Sequence, residues 1–389
     1  MKSAGHKTAA EIPMLDLSRQ YALLRSEVLA AITRVCDSQR YILGEEVVAF
    51  EREFAALCTT IDAVGCASGT EGLWLALVAA GVGAGDSVIT TPFSFFATAS
   101  SVLRAGARPI FADIDPGTLN LDPASVERRL NASCPGVKAI MPVHLYGQCA
   151  DMDGFDRIAA EFELKIVEDA AQAVGATWNG RHAGALGTAA AFSFYPTKNL
   201  SAFGDAGAVT TNSPPLAEHM RSLRNHGGKQ RYYHDEIGWN SRLDAIQAAV
   251  LRVKMPHLQK WNEARQERAR AYGRLLSSAG LTKTGADSPA PVTLLKTLPG
   301  AYHIYHQYVI RVRDRDKLRA FLCERGIGSE IYYPIPLHLQ KCFSYLGYSP
   351  GDLPESERAA QDVLALPIFA ELEEDEQRAV VEAIADFYS

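Results

Sequence analysis

Apolar side chains recur at helical spacing between residues 18 and 35, at Leu23, Leu24, Val28, Ala31, Ile32 and Val35. Such spacing puts them on one face of a helix. Residues 46–57 repeat the pattern. After Ser68-Gly69-Thr70 the run Leu73, Trp74, Leu75, Leu77, Val78 predicts an apolar helix that stops at the glycines Gly81, Gly83 and Gly85. The period then changes. Short apolar runs at 87–91, 108–112, 138–143, 165–168, 190–194 and 207–211 read as buried strands, and helical stretches at 98–105, 124–130 and 152–163 fall between several of them. Alternating strands and helices build βαβ units around a mainly parallel sheet. Strands covered on both faces explain why these runs are almost continuously apolar.

From 243 to 274 the chain reads as one long helix rich in Gln, Glu, Arg and Ala, followed by a Pro/Gly/Ser/Thr-rich stretch at 282–300. Beyond it come a predicted strand at 305–312, a helix at 316–325, a strand at 328–333 and a terminal helix at 373–387. We therefore expect a large α/β domain over 1–255, including an N-terminal arm, and a small α+β domain over 256–389.

Composition narrows the function. The 389 residues are 47% hydrophobic, enough for a large core. A net charge of −6 argues against a protein built to bind nucleic acid. Seven cysteines, at 36, 58, 66, 134, 149, 323 and 342, include no C-x-x-C pair. They suggest neither a disulfide framework nor a zinc site, and free thiols in a reducing cytoplasm are the simplest expectation. The start of the chain lacks the apolar stretch of a signal peptide, and no apolar run is long enough for a membrane span.

In a parallel α/β sheet, ligands sit at the carboxyl ends of the strands. Three predicted strand ends carry polar chemistry. Residues 165–168 run into Asp169 and Gln172, 190–194 into Lys198, and 87–91 into Ser94 and Phe95. An acid, a lysine and an aromatic ring match the needs of pyridoxal 5'-phosphate. Its aldehyde condenses with a lysine amine, its pyridine nitrogen stays protonated beside a carboxylate, and its ring lies against an aromatic face. Ser68-Gly69-Thr70 opens a helix, and a helix N-terminus binds phosphate through backbone N–H groups. Each signal alone has a plainer reading: a solvated lysine, a helix-capping acid, a common turn.

In combination these pieces resemble the DegT/DnrJ/EryC1/StrS family of sugar aminotransferases. The likeness runs from Ile42-Leu43-Gly44 to Ala365-Leu366-Pro367. It is carried by Ala67-Ser68-Gly69-Thr70, Pro92-Phe93-Ser94-Phe95-Phe96-Ala97-Thr98, Leu145-Tyr146-Gly147-Gln148, Glu168-Asp169-Ala170-Ala171-Gln172, the run from Ser193 to Leu200, Gly204-Asp205-Ala206-Gly207, the run from Gly238 to Asp244 and the run from Tyr333 to Gln340. The resemblance implies PLP fold type I, aspartate aminotransferase-like: a mainly parallel sheet flanked by helices, plus a small α+β C-terminal domain. It implies that Lys198 carries the cofactor and moves protons, that Asp169 partners the pyridine nitrogen, and that Gln172 reaches the ring hydroxyl. Gly69, Thr70 and Ser193 would hold the phosphate, and Phe95 would stack on the ring. Asn240 would reach the phosphate of a neighbouring subunit, which implies a homodimer with shared active sites. Ser68, Glu71 and Ser241 depart from commoner choices. Relatives with His in place of the lysine are dehydratases, so Lys198 favours transamination.

The implied reaction moves nitrogen from glutamate to a nucleotide-linked keto-sugar, at C-3 by the look of the loop at 333–340. Amination at C-4, a cyclitol substrate and a sugar dehydratase are the alternatives. Near the sugar the resemblance leaves room for His306 and His338, each with packing as the plainer reading. Lys229 and Arg231, beside His226-Gly227-Gly228, suit a diphosphate or a solvated turn. Gly81-x-Gly83-x-Gly85 follows a helix and precedes a strand, the reverse of a dinucleotide fingerprint. His303 and His306 would face opposite sides of a strand and so make no metal pair. Tyr302, Tyr305, Tyr308 and the pair Tyr332-Tyr333 read as strand packing.

Overall fold

The computed structural model describes residues 11–132, 136–282 and 290–389. Cys134, residues 283–289 of the Pro/Gly/Ser/Thr-rich stretch and the first ten residues lie outside them. Seven strands form the central sheet: β1 (Asp62–Cys66), β2 (Ser87–Thr90), β3 (Arg108–Phe111), β4 (Val137–Met141), β5 (Lys165–Asp169), β6 (Ala189–Ser193) and β7 (Gly207–Thr211). Their spatial order is β1-β7-β6-β5-β4-β2-β3. Strands β2 to β6 pair in parallel, and β7 runs antiparallel to both β6 and β1. Every strand except β7 therefore ends at the same edge, and the polar strand-end residues collect there.

Small side chains let one helix sit directly on this sheet. The Gly69–Ala79 helix buries Leu73, Trp74, Leu75, Ala76 and Leu77. A Cβ on Gly72 would stand 3.3 Å from the Cβ of Ala191 on β6, so glycine is what permits the approach. Side chains alternate along β6, and Phe192 points to the opposite face. There Phe54 meets Phe192 and Phe194 edge-on, with ring centroids 5.1 and 5.2 Å apart. Aromatic pairs of this geometry stabilise beyond their buried area.

The second sheet, β8 (Val292–Leu294), β9 (Tyr308–Val312) and β10 (Val363–Leu366), is antiparallel in the order β8-β9-β10. It shares a core with the Arg315–Glu324 and Glu374–Tyr388 helices through Ile310, Leu318, Leu364 and Ile384. The start of the described chain joins this unit. Ile12 N donates to Gly326 O and Gly328 N donates to Ile12 O, both at 2.8 Å.

Three expectations change. The helix read over 243–274 is broken into Ala245–Lys254 and Leu258–Ser278 by a 3-10 turn, Met255–His257. Pro256 in that turn has no N–H to continue the ladder. The predicted strand at 328–333 is a single bridge, Glu330 to Ala365. Tyr332 and Tyr333 leave it to line a cavity and are not strand packing. The strand predicted from 305 begins only at Tyr308, so His303 and His306 precede it and the opposite-face argument does not apply. The helix stop at the glycines holds: the Gly69–Ala79 helix ends there, with Gly81 and Gly85 at φ of +86° and +92°. Sequence periodicity missed β1, a short edge strand with a glycine, Gly65, as its last residue but one.

Candidate active site

A cavity of about 550 Å³ opens at the carboxyl edge of the sheet. Gly69 and Thr70 line it from the helix start, Ser94 and Phe95 from beyond β2, and Asp169 and Gln172 from the end of β5. Ser193 and Lys198 come from the end of β6, His306 from the segment just before β9, and Tyr333 from the segment after the Glu330–Ala365 bridge. Eight residues predicted from sequence thus meet at one place: Gly69, Thr70, Phe95, Asp169, Gln172, Ser193, Lys198 and His306.

Asp169 is the last residue of β5, and its backbone is pinned on both sides. Its N–H donates to Pro142 O at 2.9 Å, and its carbonyl accepts from His144 N at 3.0 Å. The preceding residue points the other way. Glu168 is fully buried and accepts from the N–H groups of Gly184, Leu186 and Gly187 at 2.7 to 2.9 Å, with His144 Nε2 at 3.0 Å. In the cavity, Asp169 Oδ2 accepts from Thr98 Oγ1 at 2.7 Å and Oδ1 from Ala171 N at 3.3 Å. Burial pushes the Asp169 carboxyl up. The bonds from Thr98 and Ala171 and the charge of Lys198 pull it back towards the ionised form. Burial lowers the Lys198 ammonium to about 8, with Asp169 acting in the opposite sense.

The helix start is an anion cradle. Ser68 is the N-cap; its Oγ accepts from Glu71 N at 3.2 Å, and its carbonyl accepts from Gly72 N at 2.9 Å. The N–H groups of Gly69 and Thr70, at the first two helical positions, have no acceptor within the helix. A Cβ on Gly69 would come within 2.7 Å of Ser193 Cβ, and one on Gly207 within 2.4 Å of Ser68 C. The cradle is as tight as it is because both positions are glycine. Gln172 is oriented by its acceptor end: Oε1 takes Tyr146 N–H at 2.6 Å, so Nε2 faces Tyr333 Oη, at 3.2 Å. Phe95 stands on the lip of the cavity, 60% exposed.

These groups suit a flat phosphorylated aldehyde. Lys198 would hold the aldehyde carbon of pyridoxal phosphate, Asp169 its ring nitrogen, Gln172 its ring hydroxyl and Phe95 its ring face. Gly69, Thr70 and Ser193 would hold its phosphate. Among the described residues no group of three or more His, Cys, Asp or Glu side chains is placed to hold a metal ion, and no helix is long and apolar enough to cross a membrane.

Four predicted residues lie elsewhere. His338 is fully buried and its Nε2 faces Glu357 Oε1 at 3.1 Å. The loop is drawn against the segment after β2 by Leu337 N donating to Pro92 O at 2.7 Å, which leaves His338 outside the cavity. Lys229 pairs with Glu218 at 2.5 Å, and Arg231 lies over the ring of Tyr232 at 4.9 Å. Both belong to an arm at 226–240 whose base is tight enough to need glycine: a Cβ on Gly238 would meet Gly227 N at 2.2 Å. Asn240 is exposed at the end of that arm, away from its own chain's cavity, in a bridge to Asn225. Sequence reasoning missed Thr98 and Tyr333. Thr98 lay in a motif already noted, but its bond to Asp169 spans two strand ends. Tyr333 was hidden by the strand-like run before it.

A model of the DegT/DnrJ/EryC1/StrS aminotransferase family matches residues 23–385. The chain belongs to this family. It is 52% identical over 377 residues to a pleiotropic regulatory protein of Geobacillus stearothermophilus, covering 97% of this chain and 98% of that one. It is 45% identical over 378 residues to the dTDP-3-amino-3,4,6-trideoxy-alpha-D-glucose transaminase of Streptomyces venezuelae, covering 97% and 96%. Among solved structures, S. venezuelae DesV in complex with a ketimine intermediate matches with a TM-score of 0.92 at 44% identity, over 97% of this chain and 99% of that one. The fold is that of these aminotransferases, and the protein is a transaminase.

Proposed function

We propose that the chain binds pyridoxal 5'-phosphate at Lys198 and transfers the amino group of glutamate to the keto carbon, at C-3, of a nucleotide-linked sugar. The observation that carries this is the convergence of the Lys198 amine, the Asp169 carboxylate and the open N–H groups of Gly69 and Thr70 on one cavity. The similarity to the S. venezuelae sugar transaminase supports the substrate class. When bound, the cofactor supplies an electron-accepting ring and an aldehyde carbon that carries the nitrogen.

The protein's own groups do the rest. Asp169, kept towards its ionised form by Thr98 and Ala171, holds a proton on the ring nitrogen. The Lys198 amine, with a pKa of about 8, is partly neutral at physiological pH. Once free it takes a proton from the substrate carbon and delivers it to the cofactor carbon on the far side of the shared nitrogen, as general base and then general acid. Gly69 and Thr70 fix the phosphate end, so that the reacting carbon stays beside Lys198. The arm at 226–240 exposes Ile237 (83%) and Trp239 (49%), apolar surface that a second copy would cover. In such a homodimer Asn240, Lys229 and Arg231 would approach the partner's phosphate and the substrate diphosphate. Free cysteines throughout the described chain suit a cytoplasmic setting.

The test is one incubation series. The yellow protein receives glutamate, then a panel of 3-keto and 4-keto nucleotide sugars and a keto-inositol, read by absorbance and mass. Bleaching by glutamate and an amino sugar formed from a 3-keto substrate are expected. A cofactor that glutamate never converts points to a dehydratase, and a protein without visible absorbance points to a non-catalytic regulator. Lys198→Ala cycling at the normal rate would contradict the assignment.

A further inference from the structure

His306 closes one side of the cavity, and two buried asparagines hold its ring. Nδ1 lies 3.2 Å from Oδ1 of Asn199, the residue after Lys198. Asn199 Nδ2 donates to Asn262 Oδ1 at 2.8 Å and to Ile304 O at 3.4 Å. Asn262, on the Leu258–Ser278 helix, donates its Nδ2 to Val174 O at 3.1 Å. Residue exposure is minimal along this line: 5% for Asn199, 0% for Asn262 and 7% for His306.

The two backbone carbonyls decide where every proton in this chain sits, because a carbonyl only accepts. Val174 O requires the NH2 group of Asn262, which turns the Asn262 oxygen towards Asn199. That oxygen, together with Ile304 O, requires the NH2 group of Asn199. Asn199 is left offering an oxygen to His306. Nδ1 of His306 must therefore carry the proton, and Nε2 is a bare lone pair. Among the described residues nothing hydrogen-bonds Nε2, and the residue lines the Lys198 cavity. The ring also stays neutral. Burial comes first, and the cations facing it, Lys198 in the cavity and Arg265 behind, hold the imidazole well below its usual range. Arg265 Nη1 donates to the carbonyls of Tyr305 and His306, both at 3.1 Å.

We propose that Asn199 and Asn262 are positioning residues that fix His306 as a neutral hydrogen-bond acceptor, and that the group it accepts from is a hydroxyl on a carbon flanking the keto group of the sugar. This rests on the transaminase reading above. The amino donor does not fit the position. Its carboxylates are acceptors only and would face a lone pair, while its nitrogen is the atom that reacts at the cofactor. A sugar hydroxyl is the donor the two substrates have left. Neither Asn199 nor Asn262 touches substrate; they act through the tautomer of His306. An acceptor set for a substrate hydroxyl rejects an analogue that lacks it, because the buried polar group is then left unpaired.

The experiment uses holoenzyme labelled with 15N-histidine, the His306 signals being those lost in His306→Gln. Imidazole nitrogen spectroscopy should show one neutral tautomer, protonated at Nδ1, in the wild type, and a mixture in Asn262→Leu, where the Asn199 amide is free to turn. Kinetics are read as separate half-reactions. Conversion by glutamate should stay within about twofold in Asn262→Leu, since no lost hydrogen bond bears on it. Preference for a keto-sugar over its analogue deoxygenated beside the keto carbon should be at least about tenfold in the wild type and fall towards unity in Asn262→Leu and His306→Leu. His306→Gln, whose amide oxygen reaches the position of Nε2, should keep part of that preference. The proposal is overturned if His306 is protonated at Nε2 in the wild type. It is equally overturned if Asn262→Leu changes neither tautomer nor preference, or if His306→Gln and His306→Leu lose the preference equally. A wild type that no amino acid converts would sink the transaminase reading instead, and the tautomer measurement would still decide the relay.

Discussion

Lys198 should capture aldehydes far faster than an ordinary lysine, and the size of the effect follows from its burial. A lysine with the usual value of 10.5 is neutral to about one part in three thousand at pH 7, whereas one lowered to about 8 is neutral to about a tenth. The nucleophilic fraction is thus about 300-fold larger at pH 7. The sign of each contribution is set. Burial lowers the value and Asp169 raises it. The capture rate in cofactor-free protein should rise with pH, bend near 8 and then level off. Asp169→Asn removes the opposing charge, so its bend should move to lower pH. A shift of one unit would raise the rate at pH 7 about fivefold. Stopped-flow absorbance with pyridoxal and with pyridoxal phosphate, both below saturation, measures this. Pyridoxal separates the lysine from ionisation of the phosphate. A rate still climbing from pH 9 to 10, or a bend moved upward in Asp169→Asn, would refute the reasoning.

Other consequences are simpler to read. Gly69→Ala places a methyl 2.7 Å from Ser193 Cβ, so the helix start must shift; cofactor affinity, measured by dialysis, should fall at least about tenfold, with about 1–3 kcal/mol lost in denaturant stability. Thr98→Val removes the 2.7 Å bond to Asp169, worth about 1.5–3 kcal/mol to the charged form. The carboxyl, already raised by burial, rises further, so activity lost on acidification should be lost at higher pH, while the alkaline limb is unmoved. Asp113 accepts from Glu355 N and Ser356 N at 2.9 Å and from Ser356 Oγ at 2.5 Å, fastening the start of the Pro354–Asp362 helix to the chain just beyond β3. Asp113→Ala should cost about 2–4 kcal/mol of stability, read from urea unfolding; no change there would show that the clasp does not hold this helix in place.

The parts of this site legible in the sequence are those set by local period. Runs of Val, Ile and Ala ending in Asp169 and in Lys198 mark buried parallel strands, and topology then forces their ends to one edge. Gly69 followed by an apolar helix is readable for the same reason. What escaped depends on contacts between distant segments. Tyr332 and Tyr333 look like strand residues, yet Tyr333 turns to Gln172, 161 positions away in sequence. His338 looks like a loop histidine free to meet substrate, but the pull of Pro92 on Leu337 turns it to Glu357. The tautomer of His306 hangs on Val174 O, two residues and 132 positions removed. No local pattern encodes such a relay.

The claim that this cavity carries pyridoxal phosphate on Lys198 can be tested by trapping. The purified holoenzyme is reduced with borohydride, digested, and mapped by mass spectrometry. The expected result is one stoichiometric phosphopyridoxyl group on the peptide containing Lys198, absent when glutamate is added before reduction. Lys254 is a fair control, since burial also lowers it to about 8 while it faces Ser201 rather than the Lys198 cavity. Label on Lys254, or label on Lys198 that glutamate does not prevent, would contradict the account.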